Sequence, residues 1–164
     1  EVVVPAPNVD QVIEDALENS YYFIKTERDL KDLKNDIDDI KDSNKKQIKK
    51  DQLSMLELER ESKRSEIVNK VKAIHALYEE KAKEYELAIV KLRAMEDEYS
   101  WDKIRYESGL ISKLMLTGTE VKYLQALTAK IEAGYDYYLV KQELALAQEG
   151  VFMPDDYANL KNSF

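Results

Sequence analysis

The residues with the most chemical capacity in this chain are one histidine and the carboxylates beside it. His75 is the only histidine, and Glu79, Glu80 and Glu84 follow it at helical spacing. Helical bundles that bind two metal ions use these residue types, but they need a Glu-x-x-His motif on each of two helices. One histidine cannot supply both motifs. The sequence therefore predicts no metal site, and His75 is interpreted as an ordinary surface or interface residue.

Other reaction chemistry also lacks its residues. The chain has no cysteine, which excludes disulfides and thiolate metal sites. The glycines at 109, 118, 134 and 150 are far apart, so no glycine-rich phosphate loop is present. The many carboxylates alternate with Lys and Arg at i+3 and i+4, as on a solvated helix face. We therefore expect no enzyme activity, no catalytic residue and no cofactor.

The charge distribution favours protein partners over nucleic acid. The formal net charge is −8, which disfavours non-specific binding to phosphate backbones or anionic lipid. A dense basic run at 45–50 follows an acidic run at 36–42. A hairpin turn between the two runs would let them neutralise each other, which we favour over a phosphate site. No apolar run approaches the roughly 18–20 residues that span a bilayer.

The spacing of apolar residues predicts three long helices. Residues 8–153 contain no proline, and apolar side chains recur at intervals of three and four. The predicted helices are 8–42, 46–107 and 112–149, with a turn at Asp42–Lys45. A second break near Gln52 is an open alternative, because the segment after it is highly charged.

Helix-terminal residues support these boundaries. Asn8 and Ser112 are favourable N-cap residues at the predicted starts. Gly109 and Gly150 lie just past predicted ends, where glycine adopts the left-handed conformation without a Cβ penalty. Pro154 with the residues after it is interpreted as a short polar tail.

The helix lengths predict the arrangement. A helix of about 60 residues is about 90 Å long and fits no compact globular core. The first and third helices together roughly match that length. The predicted fold class is therefore all-α: an elongated antiparallel three-helix hairpin arrangement, coiled-coil-like, with one very long central helix. The stripe expected to pack along the central helix is Ile48, Met55, Ile67, Val71, Ile74, Tyr78, Ala82, Tyr85, Ile89, Leu92 and Tyr99.

The third helix carries two non-polar stripes, which implies two packing partners. The first stripe is Leu114, Thr117, Val121, Leu124, Thr128, Ile131, Tyr135, Tyr138 and Gln142. The second is the small-residue stripe Ala126, Ala129 and Ala133. The candidate residues for helix packing and self-association are Val121, Leu124, Ala126, Ala129, Ala133, Tyr135 and Tyr138.

Three segments together resemble a known family. They are 9–19 (VDQVIEDALEN), 106–116 (YESGLISKLML) and 133–138 (AGYDYY). Their order and spacing resemble the outer-membrane efflux protein (TolC) family over nearly the whole chain, as a single repeat that lacks the barrel strands. The resemblance implies a long α-hairpin whose tip is a protein-contact surface, here Gly109, Leu110, Ile111 and Ser112. The family has alanine where this chain has Thr119 and proline where it has Ser20.

These observations lead to a functional expectation with one alternative. Residues 1–7 are interpreted as a linker, 8–153 as a TolC-like helical hairpin domain and 154–164 as a C-terminal tail. We expect a non-enzymatic cell-envelope or secreted protein with a removed signal peptide. It would self-associate, and contact an adaptor-type protein, as part of an export conduit or periplasmic-type spacer. The alternative is a structural stalk or protein-interaction coiled coil at the cell surface with no transport role.

Overall fold

The backbone is helical in nearly all of the chain that the structure describes. The structure is a computed structural model that describes residues 3–152, and within that range it contains four α-helices and no strand. The helices are α1 (Val9–Asn19), α2 (Tyr21–Asp39), α3 (Ser43–Glu107) and α4 (Lys113–Gln148). The all-α prediction is confirmed for this range. The tail predicted at 154–164 lies outside it.

The first predicted helix is in fact two helices. The break is at Ser20, whose backbone is extended, with φ −66° and ψ 119°. Ser20 is itself buried, as are Ala16 before it and Phe23 after it. The spacing of three and four therefore continues across the break, and for that reason the apolar pattern did not reveal it.

The long helix α3 is continuous and starts earlier than expected. Asp42 precedes it, and the Asp42 Oδ1 atom accepts a hydrogen bond from the backbone N–H of Lys45 at 2.9 Å. The residues from Ser43 onward, predicted as part of a turn, therefore form the first turn of the helix. The alternative break near Gln52 is wrong, since α3 runs through that position without interruption. The expected neutralisation of the charge runs occurs at one pair, Lys49 Nζ to Asp36 Oδ2 at 3.3 Å.

The contacts divide the chain into two compact units, each built on antiparallel helices. Of residues 3–152, unit one contains 3–6 and 76–142, and unit two contains 7–75 and 143–152. In unit one, Tyr99 of α3 stacks on Tyr123 of α4, and Tyr85 stacks on Tyr137.

In unit two, α2 lies against the first part of α3. The Arg60 guanidinium lies 5.7 Å from the centre of the Phe23 ring. The same side chain is 4.0 Å from Glu27, and Lys34 is 3.4 Å from Glu57. The pairing of later α3 residues with earlier α2 residues makes the two helices antiparallel.

The core of α3 follows the predicted stripe only in its later part. Ile67, Val71, Tyr78 and Tyr85 are buried as predicted, but Ile48 and Met55 are 58% and 70% exposed. The half-buried positions in that first part include several long charged side chains: Lys46, Lys49, Arg60 and Lys63. Their hydrocarbon stems cover the packed face while the charges reach water. Leu53 and Leu56 are half-buried on the same face, so the packed face there mixes leucines with long charged side chains, and the predicted Ile48 and Met55 lie outside it.

Both predicted glycine termini are confirmed. Gly109 and Gly150 have φ angles of +70° and +72°. At each terminus the glycine N–H and the next residue's N–H donate to carbonyls of the last helical turn, at 2.8–3.0 Å. This is the Schellman arrangement, which uses carbonyls that have no partner inside the helix. The two sites differ in packing. A Cβ on Gly150 would lie 2.7 Å from the backbone of Asn19 and of Ser20, whereas a Cβ on Gly109 would meet nothing within 4 Å.

Alanine substitutions at three glycines separate conformational cost from packing cost. Gly109→Ala is expected to lower the free energy of unfolding by about 1 kcal/mol, the cost of a left-handed non-glycine residue. Gly150→Ala adds a backbone clash and is expected to cost about 3 kcal/mol. Gly118 lies inside α4 with open space around it, so Gly118→Ala is expected to raise stability by about 0.5–1 kcal/mol. Urea unfolding followed by circular dichroism measures all three. Equal losses at 109 and 150 would contradict the contact between Gly150 and the α1–α2 break.

Candidate functional site

Helix α4 buries one face and exposes the opposite one. The buried face contains Thr119, Ala126, Tyr137, Val140, Leu144 and Ala147. These positions follow each other at multiples of three and four. The first of the two predicted stripes is offset from the buried face by two residues toward the N-terminus. Two residues correspond to a rotation of about 200° around the helix axis, so the stripe is on the opposite side of the helix. All nine positions of that stripe are exposed, so among residues 3–152 the stripe lies outside the packed face.

The exposed face of α4 is strongly apolar. Its large side chains are 47–82% exposed: Leu114, Val121, Leu124, Ile131, Tyr135 and Tyr138. Of the predicted self-association residues, Val121, Leu124, Tyr135 and Tyr138 lie on this face. Ala129 is exposed, Ala133 is half-buried, and Ala126 is buried at 4% exposure. Ala126 and Ala133 therefore belong to the face that packs inside unit one.

Helix α3 has a matching exposed stripe in unit one. Leu87, Val90, Trp101 and Ile104 are 54–69% exposed. Each lies two residues after a packed position, as Leu87 lies after Tyr85 and Trp101 after Tyr99. The sequence analysis missed this stripe. Positions 87, 90, 94, 97, 101 and 104 follow the helical spacing of three and four. Two of them are the small Ala94 and the charged Asp97, which interrupt the run of large apolar side chains.

The predicted hairpin tip connects α3 to α4. Leu110 is 74% exposed, and Ile111 is half-buried. The Ser112 Oγ atom accepts a hydrogen bond from the backbone N–H of Met115 at 3.3 Å, as expected of an N-cap. The tip therefore places an exposed leucine directly after Gly109 and the exposed Leu114 in the first turn of α4.

A charge-assisted hydrogen bond joins α3 and α4 near the tip. The Thr119 hydroxyl donates to Asp102 Oδ2 at 2.6 Å. It lies 3.2 Å from the carbonyl of Met115 as well. Thr119 is buried, and the Asp102 side chain is 14% exposed. An aliphatic residue at position 119 could not make this contact.

A second polar cluster joins the start of the chain to the same two helices. The Tyr78 and Tyr137 hydroxyl oxygens are 3.0 Å apart. Tyr78 donates to the Val4 carbonyl at 2.9 Å, and the Val4 N–H donates to the Tyr137 hydroxyl at 3.1 Å. Val4 lies in the segment interpreted as a linker. These bonds were not predicted, since the two tyrosines are 59 residues apart and no local pattern links them.

Burial fixes the two tyrosine rings. Tyr78 is 3% exposed and Tyr137 is 7% exposed. Tyr137 also stacks on Tyr85 with ring centres 5.8 Å apart. Gly134 makes room for that stack, because a Cβ there would lie 2.9 Å from the Tyr85 ring. Burial raises the pKa of Tyr78 above its ordinary value of 10.0.

His75 and the nearby carboxylates do not converge. The His75 Nε2 atom is 2.8 Å from the Pro7 carbonyl oxygen, and because a carbonyl only accepts, Nε2 donates. Glu84 instead pairs with Lys81 at 2.7 Å. Glu79, Glu80 and Glu84 line an open hollow along one side of α3.

Among residues 3–152, no three His, Asp or Glu side chains are grouped so that they could hold a metal ion. None of the helices described there combines the length and the apolar character that a membrane crossing requires.

Comparisons with known proteins gave no match to any family model, to any functionally characterised protein or to any solved structure. The features of the chain that bear on its function are therefore the exposed stripes, the tip and the two polar clusters.

The Thr119–Asp102 bond can be tested with a matched pair of threonines. Thr119→Val keeps the side-chain shape but removes the donor to a charged group, and is expected to lower the free energy of unfolding by about 1.5–3 kcal/mol. Thr128 makes only the local bond to the Leu124 carbonyl, at 3.1 Å. Thr128→Val is therefore expected to change stability by less than about 0.5 kcal/mol. Chemical denaturation of both variants provides the comparison, and equal effects would show that the Asp102 bond contributes nothing.

The raised pKa of Tyr78 predicts a loss of stability in alkali. In the unfolded chain this tyrosine loses its proton near pH 10, while in the folded protein it keeps its proton to higher pH. The unfolded state then binds fewer protons, so stability is full below about pH 10 and falls above it. Tyr78→Phe is expected to make this fall less steep by up to about 1 kcal/mol per pH unit. Tyr138→Phe, at an exposed tyrosine, serves as the control. Identical slopes for wild type and Tyr78→Phe in urea titrations at pH 9–11 would contradict the assignment.

Proposed function

We propose that this chain is a non-enzymatic, TolC-like helical hairpin protein of the cell envelope that self-associates to form part of an export conduit. The proposal uses the elongated antiparallel hairpin arrangement expected from the sequence, with α1 and α2 in place of the first predicted helix and α3 as the shared central helix. The observation that carries it is the apolar stripe on the outward face of each helix in unit one.

The amount of exposed apolar surface favours an interface. The six large side chains on the exposed face of α4 are 47–82% exposed. Four of them are aliphatic and two are tyrosines, and together they offer apolar surface on the order of several hundred Å². A stable interface buries about 800 Å² on each partner, and isolated apolar patches on monomers rarely exceed a few hundred Å². A second copy of the hairpin supplies a surface of the matching kind.

The positions of the two stripes favour a ring over a closed dimer. The stripe on α3 and the stripe on α4 each face away from the seam between these helices. Each copy thus has two different apolar edges. Packing the α3 edge of one copy on the α4 edge of the next is a head-to-tail contact, and such contacts close into rings when the rotation permits. The shared heptad-type spacing supports shallow, coiled-coil-like packing at this contact.

The tip supports a contact with a second protein in the same proposal. Leu110 is 74% exposed and Leu114 is 82% exposed, and both belong to the segment where the hairpin turns. Exposed leucines at the end of a helical hairpin suit the apolar groove of an adaptor-type protein. The extracytoplasmic location is part of the proposal and follows the family resemblance of the tip segment.

A stalk or spacer without transport is the second candidate function. The observation that favours it is the continuity of α3, which runs for 65 residues without a break. A long unbroken helix keeps the groups at its two ends a fixed distance apart. In this candidate the chain acts alone and the exposed stripes bind a different protein.

The self-association test uses two neighbouring positions on α4. Leu124→Lys places a charge in the exposed stripe, and we expect it to shift the protein from oligomer to monomer. Gln125→Lys adds the same charge one residue away, outside the stripe, and we expect it to leave the oligomer intact. Light scattering coupled to gel filtration, with cross-linking at several protein concentrations, measures the mass.

The outcomes separate the two candidates. A wild-type chain that stays monomeric at high concentration would refute the conduit and favour the spacer. An oligomer disrupted equally by both lysine variants would place the interface elsewhere.

A further inference from the structure

Two buried hydroxyl groups bind both backbone polar groups of one residue. Tyr78 donates to the Val4 carbonyl at 2.9 Å, and Tyr137 accepts from the Val4 N–H at 3.1 Å. The Tyr137 hydroxyl then donates to the Tyr78 oxygen at 3.0 Å. This assignment uses each hydroxyl proton once and makes the three shortest bonds. The longer approach of the Tyr137 oxygen to the Val4 carbonyl, at 3.4 Å, is then not needed.

The hydrogen bonds from the two tyrosines recognise the backbone of Val4 and not its side chain. The Val4 side chain is 46% exposed, while Val3 and Ala6 are half-buried. Residues 3–8 form neither helix nor strand. Pro5 and Pro7 restrict the unbound segment to extended conformations, which lowers the entropy lost on binding. The ligand class is therefore an extended peptide with small apolar side chains.

The site is preformed by the helices. Tyr78 and Tyr137 lie on α3 and α4, and both are more than nine-tenths buried. The stack of Tyr137 on Tyr85, which Gly134 permits, sets the direction of the hydroxyl group.

We propose that the Tyr78–Tyr137 pair is a binding site for an extended apolar peptide, and that residues 3–7 are its resident ligand. The segment is held in cis, where a short tether gives it a high effective concentration. The same segment supplied from a second copy of the chain fits the same bonds. The proposal does not depend on the exposed stripes or on the conduit.

The test weakens the binding of the chain's own segment to the tyrosine pair and supplies the same segment as a separate peptide. Val4→Pro in the full chain removes the N–H that Tyr137 accepts. The probe is a fluorescein-labelled synthetic peptide of residues 3–8, Val-Val-Pro-Ala-Pro-Asn, and fluorescence anisotropy reports its binding. We expect saturable binding to the Val4→Pro protein and about fivefold to tenfold weaker binding to wild type, where the cis segment competes.

Two double variants identify the site. Adding Tyr137→Phe to Val4→Pro is expected to weaken peptide binding about fivefold or more, since one hydrogen bond is lost. Adding Tyr21→Phe, at a tyrosine of unit two that is 77% exposed, is expected to change nothing. Circular dichroism confirms that each variant is helical. A probe peptide with proline in place of its second valine is expected to bind more weakly than the unmodified peptide.

Hydrogen exchange of the Val4 amide in the wild-type chain gives a second readout. We expect it to exchange at least about tenfold more slowly in wild type than in Tyr137→Phe. An amide that exchanges as fast as in a free peptide would overturn the proposal. Peptide binding that is unaffected by Tyr137→Phe would also overturn it. A monomeric wild-type chain would refute the conduit while leaving this result unchanged.

Discussion

The packing of α4 on α3 through a single face is the constraint on which unit one depends. Both helices have apolar residues on two opposite faces, and a two-helix seam can bury only one face of each. The face that each helix packs inward places Tyr85 against Tyr137 and Tyr99 against Tyr123. The other face of each helix then remains exposed, which gives the hairpin two apolar edges. The exposed surface is thus a direct consequence of how the seam is formed.

Polar contacts select the register of that seam. Apolar residues at spacings of three and four pack in several registers that differ by whole heptads, so apolar packing alone specifies register weakly. A buried polar group must meet its partner, and its desolvation disfavours the other registers. Thr119 with Asp102 and Tyr78 with Tyr137 provide two such contacts along unit one. One of these contacts additionally binds the backbone of Val4.

Glycine conformation sets where the helices end in both units. Gly109 allows the chain to leave α3 in the left-handed conformation with no packing requirement around it. Gly150 does the same for α4, and it also allows close approach to Asn19 and Ser20 at the α1–α2 break. The Asn19 amide donates to the Gln148 carbonyl at 2.9 Å and secures the same contact. Glycine therefore allows the chain to change direction at both ends of α4. At Gly150 it additionally allows close packing against the α1–α2 break.

The sequence by itself determined the helical class, the ends at Gly109 and Gly150, the caps at Asn8 and Ser112 and the two apolar faces of α4, because these follow from local conformational preference and spacing. Only the tertiary structure decided which face of α4 is buried, since two apolar faces are equivalent until a partner helix covers one. It also decided the break at Ser20 and the binding of Val4. Both depend on residues more than a hundred positions away, which no local pattern contains.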